Sequence, residues 1–117
     1  MITEPLVSVL FPVYKFNEYI YPAINSILSQ SYKNFELIII DDSSDNLIEK
    51  VIIEISDLRI IHIKGSKNGI SSALNLGIEY SAGEFIARMD ADDISIQSRF
   101  EVQLNYIKKY NISNIII

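Results

Sequence analysis

At 117 residues, 49% of them hydrophobic, the chain has room for one domain around one core. Ten basic and fifteen acidic side chains give a net charge of -5, which speaks against nucleic acid as a partner and against broad attraction to anionic lipid. With no cysteine and one histidine there is no disulfide framework, no thiolate metal site and no His-rich zinc site.

Met1-Ile2-Thr3-Glu4-Pro5 has no basic region and no long apolar run, so it is not a signal peptide. No window approaches the ~20 apolar residues of a membrane helix, and the expected location is the cytoplasm.

Val7-Ser8-Val9-Leu10-Phe11 reads as a first, central strand ending at Pro12, with Pro12 to Phe16 leaving the sheet as a loop. Asn17 is the expected N-cap of a helix over 18–30, whose apolar face is Ile20, Ala23, Ile24, Ile27 and Leu28. Phe35 to Ile40 is a continuous apolar run, as in a strand covered on both faces of a parallel sheet. It runs into Asp41-Asp42, which either serve a ligand or cap the next helix, over 47–55. Residues 59–63 predict a third strand, with His62 outward or satisfied in the core.

A turn follows, with Lys64 and Lys67 as solvated charges, and then a helix over 70–80 that presents Ile70, Ala73, Leu74, Gly77 and Ile78 to the core. Gly77 suggests close packing, and Gly83 is the expected C′ residue. Phe85 to Met89 is a fourth strand, 98–110 a fourth helix in which Tyr106 and Tyr110 pack, and 113–117 a fifth strand.

The fourth strand meets Asp90, Asp92 and Asp93 within four positions. In extended backbone Asp90 and Asp92 point to one side, with Cα atoms about 6.5 Å apart. Carboxylates so placed either share a divalent cation that clamps a phosphate-bearing substrate or cap the next helix. Arg88 and Arg99 are candidates to pair with these acids.

Strand and helix alternate throughout, so the fold class is α/β: a Rossmann-like three-layer sandwich with a mostly parallel sheet. Ligands bind such sheets beyond the C-terminal ends of the strands. Pro12-Val13-Tyr14, Asp41-Asp42 and Asp90 to Asp93 all fall there.

In their order, Val7-Ser8-Val9 with Pro12 and Tyr14, Ile27 to Tyr32 leading into Phe35 to Ser44, Asn68-Gly69, Ala73-Leu74-Asn75, Gly83 to Asp93 and Arg99-Phe100 make a pattern. The chain resembles the nucleotide-sugar-binding half of GT-A fold glycosyltransferases. More narrowly, it resembles the inverting enzymes that build bacterial surface polysaccharides.

The resemblance implies transfer of a sugar from a nucleotide diphosphate sugar, expected to be UDP-linked, to a saccharide or lipid-linked acceptor. It implies that Pro12, Val13 and Tyr14 line the base pocket and that Asp41-Asp42 bond base or ribose. Asn68 and Gly69 begin a helix facing the anion. Asp90-Ala91-Asp92 hold ribose and a Mg²⁺ or Mn²⁺ ion, with Asp92 the direct metal ligand and Asp90 on ribose or on metal through water.

Gln97 stands where the family usually has proline. The general base of such enzymes lies in an acceptor-binding half, here expected beyond Ile117. Residues 1–117 are thus expected to be a single nucleotide-sugar-binding domain, truncated before that half. Peripheral membrane association would come through segments that are missing.

Three other readings compete: an aspartyl-nucleophile phosphatase, a receiver-like signalling module, and a nucleotide-binding fragment without turnover. In the first two the acidic motif follows the first strand, whereas here it follows the fourth.

Overall fold

The computed structural model describes residues 4–110. In chain order it has β1 (Val7–Val13), α1 (Ile20–Leu28), β2 (Phe35–Asp41), α2 (Leu47–Ile55), β3 (Ile60–Lys64), α3 (Ile70–Tyr80), β4 (Phe85–Arg88) and α4 (Arg99–Tyr110). The fifth strand expected over 113–117 lies outside the described residues.

The four strands form one parallel sheet in the order β3-β2-β1-β4. The chain therefore winds outward from β1 through β2 to β3, then returns across the sheet to place β4 on the other side of β1. Crossovers between parallel strands are right-handed, so a reversal of direction moves the connecting helix to the opposite face. Packing agrees. Val9, Phe11, Leu37 and Ile39 share one core with α1, α2 and α4, through Ile24, Ile27, Ile48, Phe100 and Leu104. Leu10, Ile38 and Ile40 face the other way, against Ala73 of α3.

The two central strands, β1 and β2, bury both faces because most of their residues are apolar in both parities, and full burial of one such side chain contributes about 1.5–3 kcal/mol, whereas β3 and β4 at the edges are only partly covered. Gly77 gives α3 its close approach. A Cβ there would stand 3.0 Å from both Ile40 Cδ1 and Leu10 Cδ2. Of the other residues expected on the inner face of α3, Ile70 and Ile78 are largely exposed. Among the described residues no second helix packs beside α3 on this face to cover them.

Most boundaries differ from the sequence reading by one or two residues, and two of the differences have a clear cause. β1 continues through Pro12 to Val13. Met89 donates its N–H to Leu10 O, so Leu10 points its backbone groups toward β4, and so does Pro12 two residues on. Because β4 ends at Arg88, opposite Leu10, Pro12 lies past its end and its missing N–H removes no ladder bond. At α1 the N-cap is Tyr19; Asn17 Oδ1 accepts from Tyr19 N at 2.8 Å, an Asx turn one step before the helix.

Gly83 is not a helix cap. α3 stops at Ser81, whose backbone is extended and whose Oγ donates to Ile78 O. Glycine is needed at 83 because a Cβ would fall 2.6 Å from Ser8 N.

Tyr106 and Tyr110 also depart from expectation. They are exposed on α4 and pack against each other with the rings tilted by 44° and their centroids 4.6 Å apart, while Phe100, Leu104 and Ile107 make the buried face.

Candidate functional site: the C-terminal edge of the sheet

The register aligns Val13 with Asp41 and Asp41 with Lys64, so β1, β2 and β3 end together. Two clefts open there. One, of about 430 Å³, is lined by Tyr14, Lys15, Asp42 to Asp45 and Lys67. The other, of about 280 Å³, is lined by Pro12, Val13, Tyr14, Asp42, Gly69, Ile70 and Ala73. They share Tyr14, which is 80% exposed, and Asp42, which is 8% exposed. Five of the residues expected to contact substrate therefore meet: Pro12, Val13, Tyr14, Asp42 and Gly69. Asn68 lines neither cleft.

The two neighbouring aspartates have separate surroundings. The Asp41 side chain has no exposed surface. Its carboxylate accepts from Ser43 N at 2.9 Å, from the Ser43 hydroxyl, from His62 Nε2 at 2.8 Å and from Lys64 Nζ at 3.2 Å. Burial works to raise its pKa, but the hydrogen bonds from Ser43, His62 and Lys64 prevail and hold it below the ordinary carboxylate value. Asp41 thus ties β2 to β3 beneath the site, and Asp42 is the member of the pair that faces the clefts. Neither caps α2; Asp45 accepts the first helical N–H, from Leu47, at 3.1 Å.

Lys64 is accordingly an ion-pair partner and not simply a solvated charge, and His62 is satisfied by Asp41. Asp42 is set by backbone. Its N–H donates to Val13 O at 2.7 Å, and its Oδ1 accepts from Lys67 N at 3.1 Å. Lys67 adopts φ 60°, uncommon for a side chain with Cβ, and this turns its N–H onto Asp42. Its Nζ reaches Ser44 Oγ at 3.1 Å. Gly65 leaves room for the Asp42 carboxylate, since a Cβ there would fall 1.8 Å from Oδ1. Gly69 has open space around it but φ 95°, a conformation that glycine adopts without strain.

The acidic stretch differs from the extended geometry expected of it. β4 ends at Arg88, and Asp90 to Asp93 form a turn closed by Asp93 N donating to Asp90 O at 3.1 Å. Asp90 is half-exposed and pairs with Arg88 Nε at 3.2 Å; Asp92 is exposed. Asp90, Ala91 and Asp92 line neither cleft.

Among the described residues no three acidic or histidine side chains gather as a metal-binding group. Two carboxylates on an exposed turn are nonetheless hard oxygen donors. The set fits a Mg²⁺ or Mn²⁺ ion that completes its shell from a diphosphate and water, and not an all-protein cage.

Arg99 holds the root of this turn through its donors. Nη2 donates to Arg88 O at 2.9 Å and Nη1 to Ser95 Oγ at 3.1 Å. Burial lowers its pKa, with the charge of Asp93 opposing the shift.

Gly65, Ser43 and Lys15 fell in loops of the sequence reading without any role at the site. A glycine just after a strand, beside an acidic loop, was the available signal for the first.

The parallel sheet with its reversed winding defines a Rossmann-like α/β domain of the GT-A type. Residues 8–117 match the model of Glycosyl transferase family 2, and the chain belongs to that family. It is 42% identical over 110 residues to UDP-Glc:alpha-D-GlcNAc-diphosphoundecaprenol beta-1,3-glucosyltransferase WfgD of Escherichia coli, covering 92% of this chain and 43% of that protein. An uncharacterised glycosyltransferase of Rickettsia conorii is 37% identical over 112 residues, covering 95% of this chain and 18% of that one.

Among solved structures, Staphylococcus aureus TarS 1-349 in complex with UDP superposes with a TM-score of 0.80 at 24% identity, over 90% of this chain and 32% of that one. Mannosyltransferase PcManGT of Pyrobaculum calidifontis, in complex with GDP-Man and Mn²⁺, gives 0.70 at 24% identity, over 79% and 29%. Both share the fold. The chain spans less than half the length of each of these proteins.

Proposed function

We propose that the chain is the donor-binding part of a glycosyltransferase that moves a sugar from a uridine diphosphate sugar to a saccharide or lipid-linked acceptor. The observation that carries this reading is the pair of clefts sharing Tyr14 and Asp42 at the C-terminal edge of a parallel sheet. The WfgD relative, named for a UDP-Glc donor and a diphosphoundecaprenol acceptor, supports the choice of both.

Each residue has a chemical task. The base lies between the Pro12-Val13 backbone and the exposed Tyr14 ring, which offers an aromatic face. Asp42, an acceptor throughout, takes the N–H of uracil. Asp90 takes ribose hydroxyls, or holds metal through water. Gly69 and the start of α3 turn backbone N–H groups toward the diphosphate. Asp92, with Asp90, holds Mg²⁺ or Mn²⁺. When bound, the cation neutralises charge on the departing nucleoside diphosphate. The general base is not assigned to any residue described, and the work is placed at the cytoplasmic face of the membrane.

The test is calorimetric titration with UDP, with and without Mn²⁺. The expected result is binding that Mn²⁺ strengthens, with Asp92→Ala weakening the Mn²⁺-dependent part by about tenfold, the equivalent of about 1.4 kcal/mol. Absence of UDP binding in both conditions, or an Mn²⁺ effect that survives the substitution, overturns the reading.

A further inference from the structure

Gln30 lies just past the end of α1, two residues after Leu28, and its side chain is fully buried. A buried carboxamide is costly unless every polar atom is paired. Here each atom has a partner. Nε2 donates to Ile96 O at 2.7 Å and to Ser26 O at 3.2 Å, and Oε1 accepts from Phe100 N at 3.1 Å. Two of these bonds span 66 and 70 residues of chain.

The neighbours of Gln30 grip the same segment. Ser26 Oγ accepts from Ser95 N at 3.0 Å, and Ser31 N donates to Gln97 O at 2.8 Å. The end of α1 thus takes hold of three successive residues on the returning limb of the loop between β4 and α4, Ser95, Ile96 and Gln97, and of Phe100 in the first turn of α4. The outgoing limb of that loop carries Asp90 and Asp92. Its root is fixed to the same limb by Arg99, between Arg88 O and Ser95 Oγ.

An apolar side chain would fill the space beneath Phe100 without needing any partner. A satisfied polar group instead specifies one arrangement of the chains that it joins. We infer that Gln30 is a positioning residue for the acidic turn. By pairing with Ile96 and Phe100 it sets the height of the β4–α4 loop above the sheet, and so places Asp90 and Asp92 for a cation-bound diphosphate. This rests on the proposed donor site for its consequence, but the bonds themselves can be tested without any nucleotide.

The experiment compares Gln30→Met, which keeps length and loses all three bonds, with Ser26→Ala, which loses the tie to Ser95 and the hydroxyl's bond to Ala23 O within α1. Hydrogen exchange of the intact chain without ligand reads the loop directly. The Ser95 and Phe100 amides are expected to exchange about tenfold faster in Gln30→Met, the size of one lost net hydrogen bond, while β1 and β2 amides keep their rates. Titration with UDP is then expected to show unchanged metal-free affinity and about a tenfold smaller Mn²⁺ enhancement in the same variant. Ser26→Ala is expected to speed exchange at Ser95, which loses its acceptor, to leave Phe100 at its wild-type rate, and to reduce the Mn²⁺ enhancement less than Gln30→Met does.

Wild-type exchange at Ser95 and Phe100 in Gln30→Met overturns the inference. So does a full Mn²⁺ enhancement in Gln30→Met, or an equal loss of metal-free and Mn²⁺-dependent affinity, which is what a purely structural role gives. If the unsubstituted chain shows no Mn²⁺ effect, the donor-site reading fails together with the part of the inference that depends on it, and the exchange rates still decide whether Gln30 fixes the loop.

Discussion

Gly65 shows how closely single residues set this site. It contacts no cleft, yet an added methyl would overlap the Asp42 carboxylate at 1.8 Å. Gly65→Ala must push that carboxylate out of its place beside the Lys67 N–H. It is expected to lower UDP affinity by about tenfold or more while leaving the far-ultraviolet spectrum of the chain intact, since the overlap falls on one movable side chain. Titration with UDP alone checks this, because Asp42 and not the acidic turn is displaced.

The division of labour between Asp41 and Asp42 has the same origin. In a strand, neighbours point to opposite sides. Asp41 falls on the side of Leu37 and Ile39. On that side the register places His62 opposite Ile39 and Lys64 opposite Asp41. The sequence marks both acids as candidates for a ligand or a cap but does not tell them apart, because parity and register together decide which of two identical side chains meets His62 and Lys64.

At the scale of elements, the connection from α3 into β4 is held by contact rather than by a cap. Ser8 Oγ accepts from Gly83 N at 2.8 Å and donates to Glu36 Oε2 at 2.6 Å, and Ala82 N donates to the same carboxylate oxygen at 2.7 Å. The Cβ of Gly83→Ala would meet Ser8 backbone, which has no rotamer by which to move away. The substitution is expected to destabilise the chain by about 1–3 kcal/mol. Urea denaturation followed by circular dichroism measures it, and a midpoint equal to that of the unsubstituted chain contradicts the contact.

The strands and helices themselves were readable. Continuous apolar runs such as Phe35 to Ile40 and the helical spacing of Ile20, Ala23, Ile24 and Ile27 leave little choice. The unread parts were tertiary. The covering of α3 depends on how many helices share its face, and the turn at Asp90 to Asp93 depends on where β4 loses its partner. The grip of Gln30 joins segments 66 and 70 residues apart, which no local pattern reports.

For the whole molecule, acid sensitivity follows from the cluster under the site. The Asp41 carboxyl has a lower pKa folded than unfolded, so the unfolded chain binds the proton more readily. The stabilisation is present in full above the unfolded value of about 3.9, and it is lost as pH falls through the folded value beneath it. Asp57, lowered chiefly by its hydrogen bond from Arg59, acts in the same sense. Stability measured against pH is therefore expected to fall steeply below about pH 4, and Asp41→Asn to flatten that limb while lowering stability at neutral pH. A pH profile whose acid limb is unchanged in Asp41→Asn would separate the cluster from acid unfolding.

The unequal lengths of β1 and β4 have one more effect. Phe11, Pro12 and Val13 continue past the last β4 partner, so the sheet carries a notch where its winding reverses. On the notch side Pro12 offers a carbonyl but no N–H. A segment sliding in as a longer β4 would meet a rung with half its bonds missing. The gap therefore resists being zipped shut by the chain's own backbone or by another copy's.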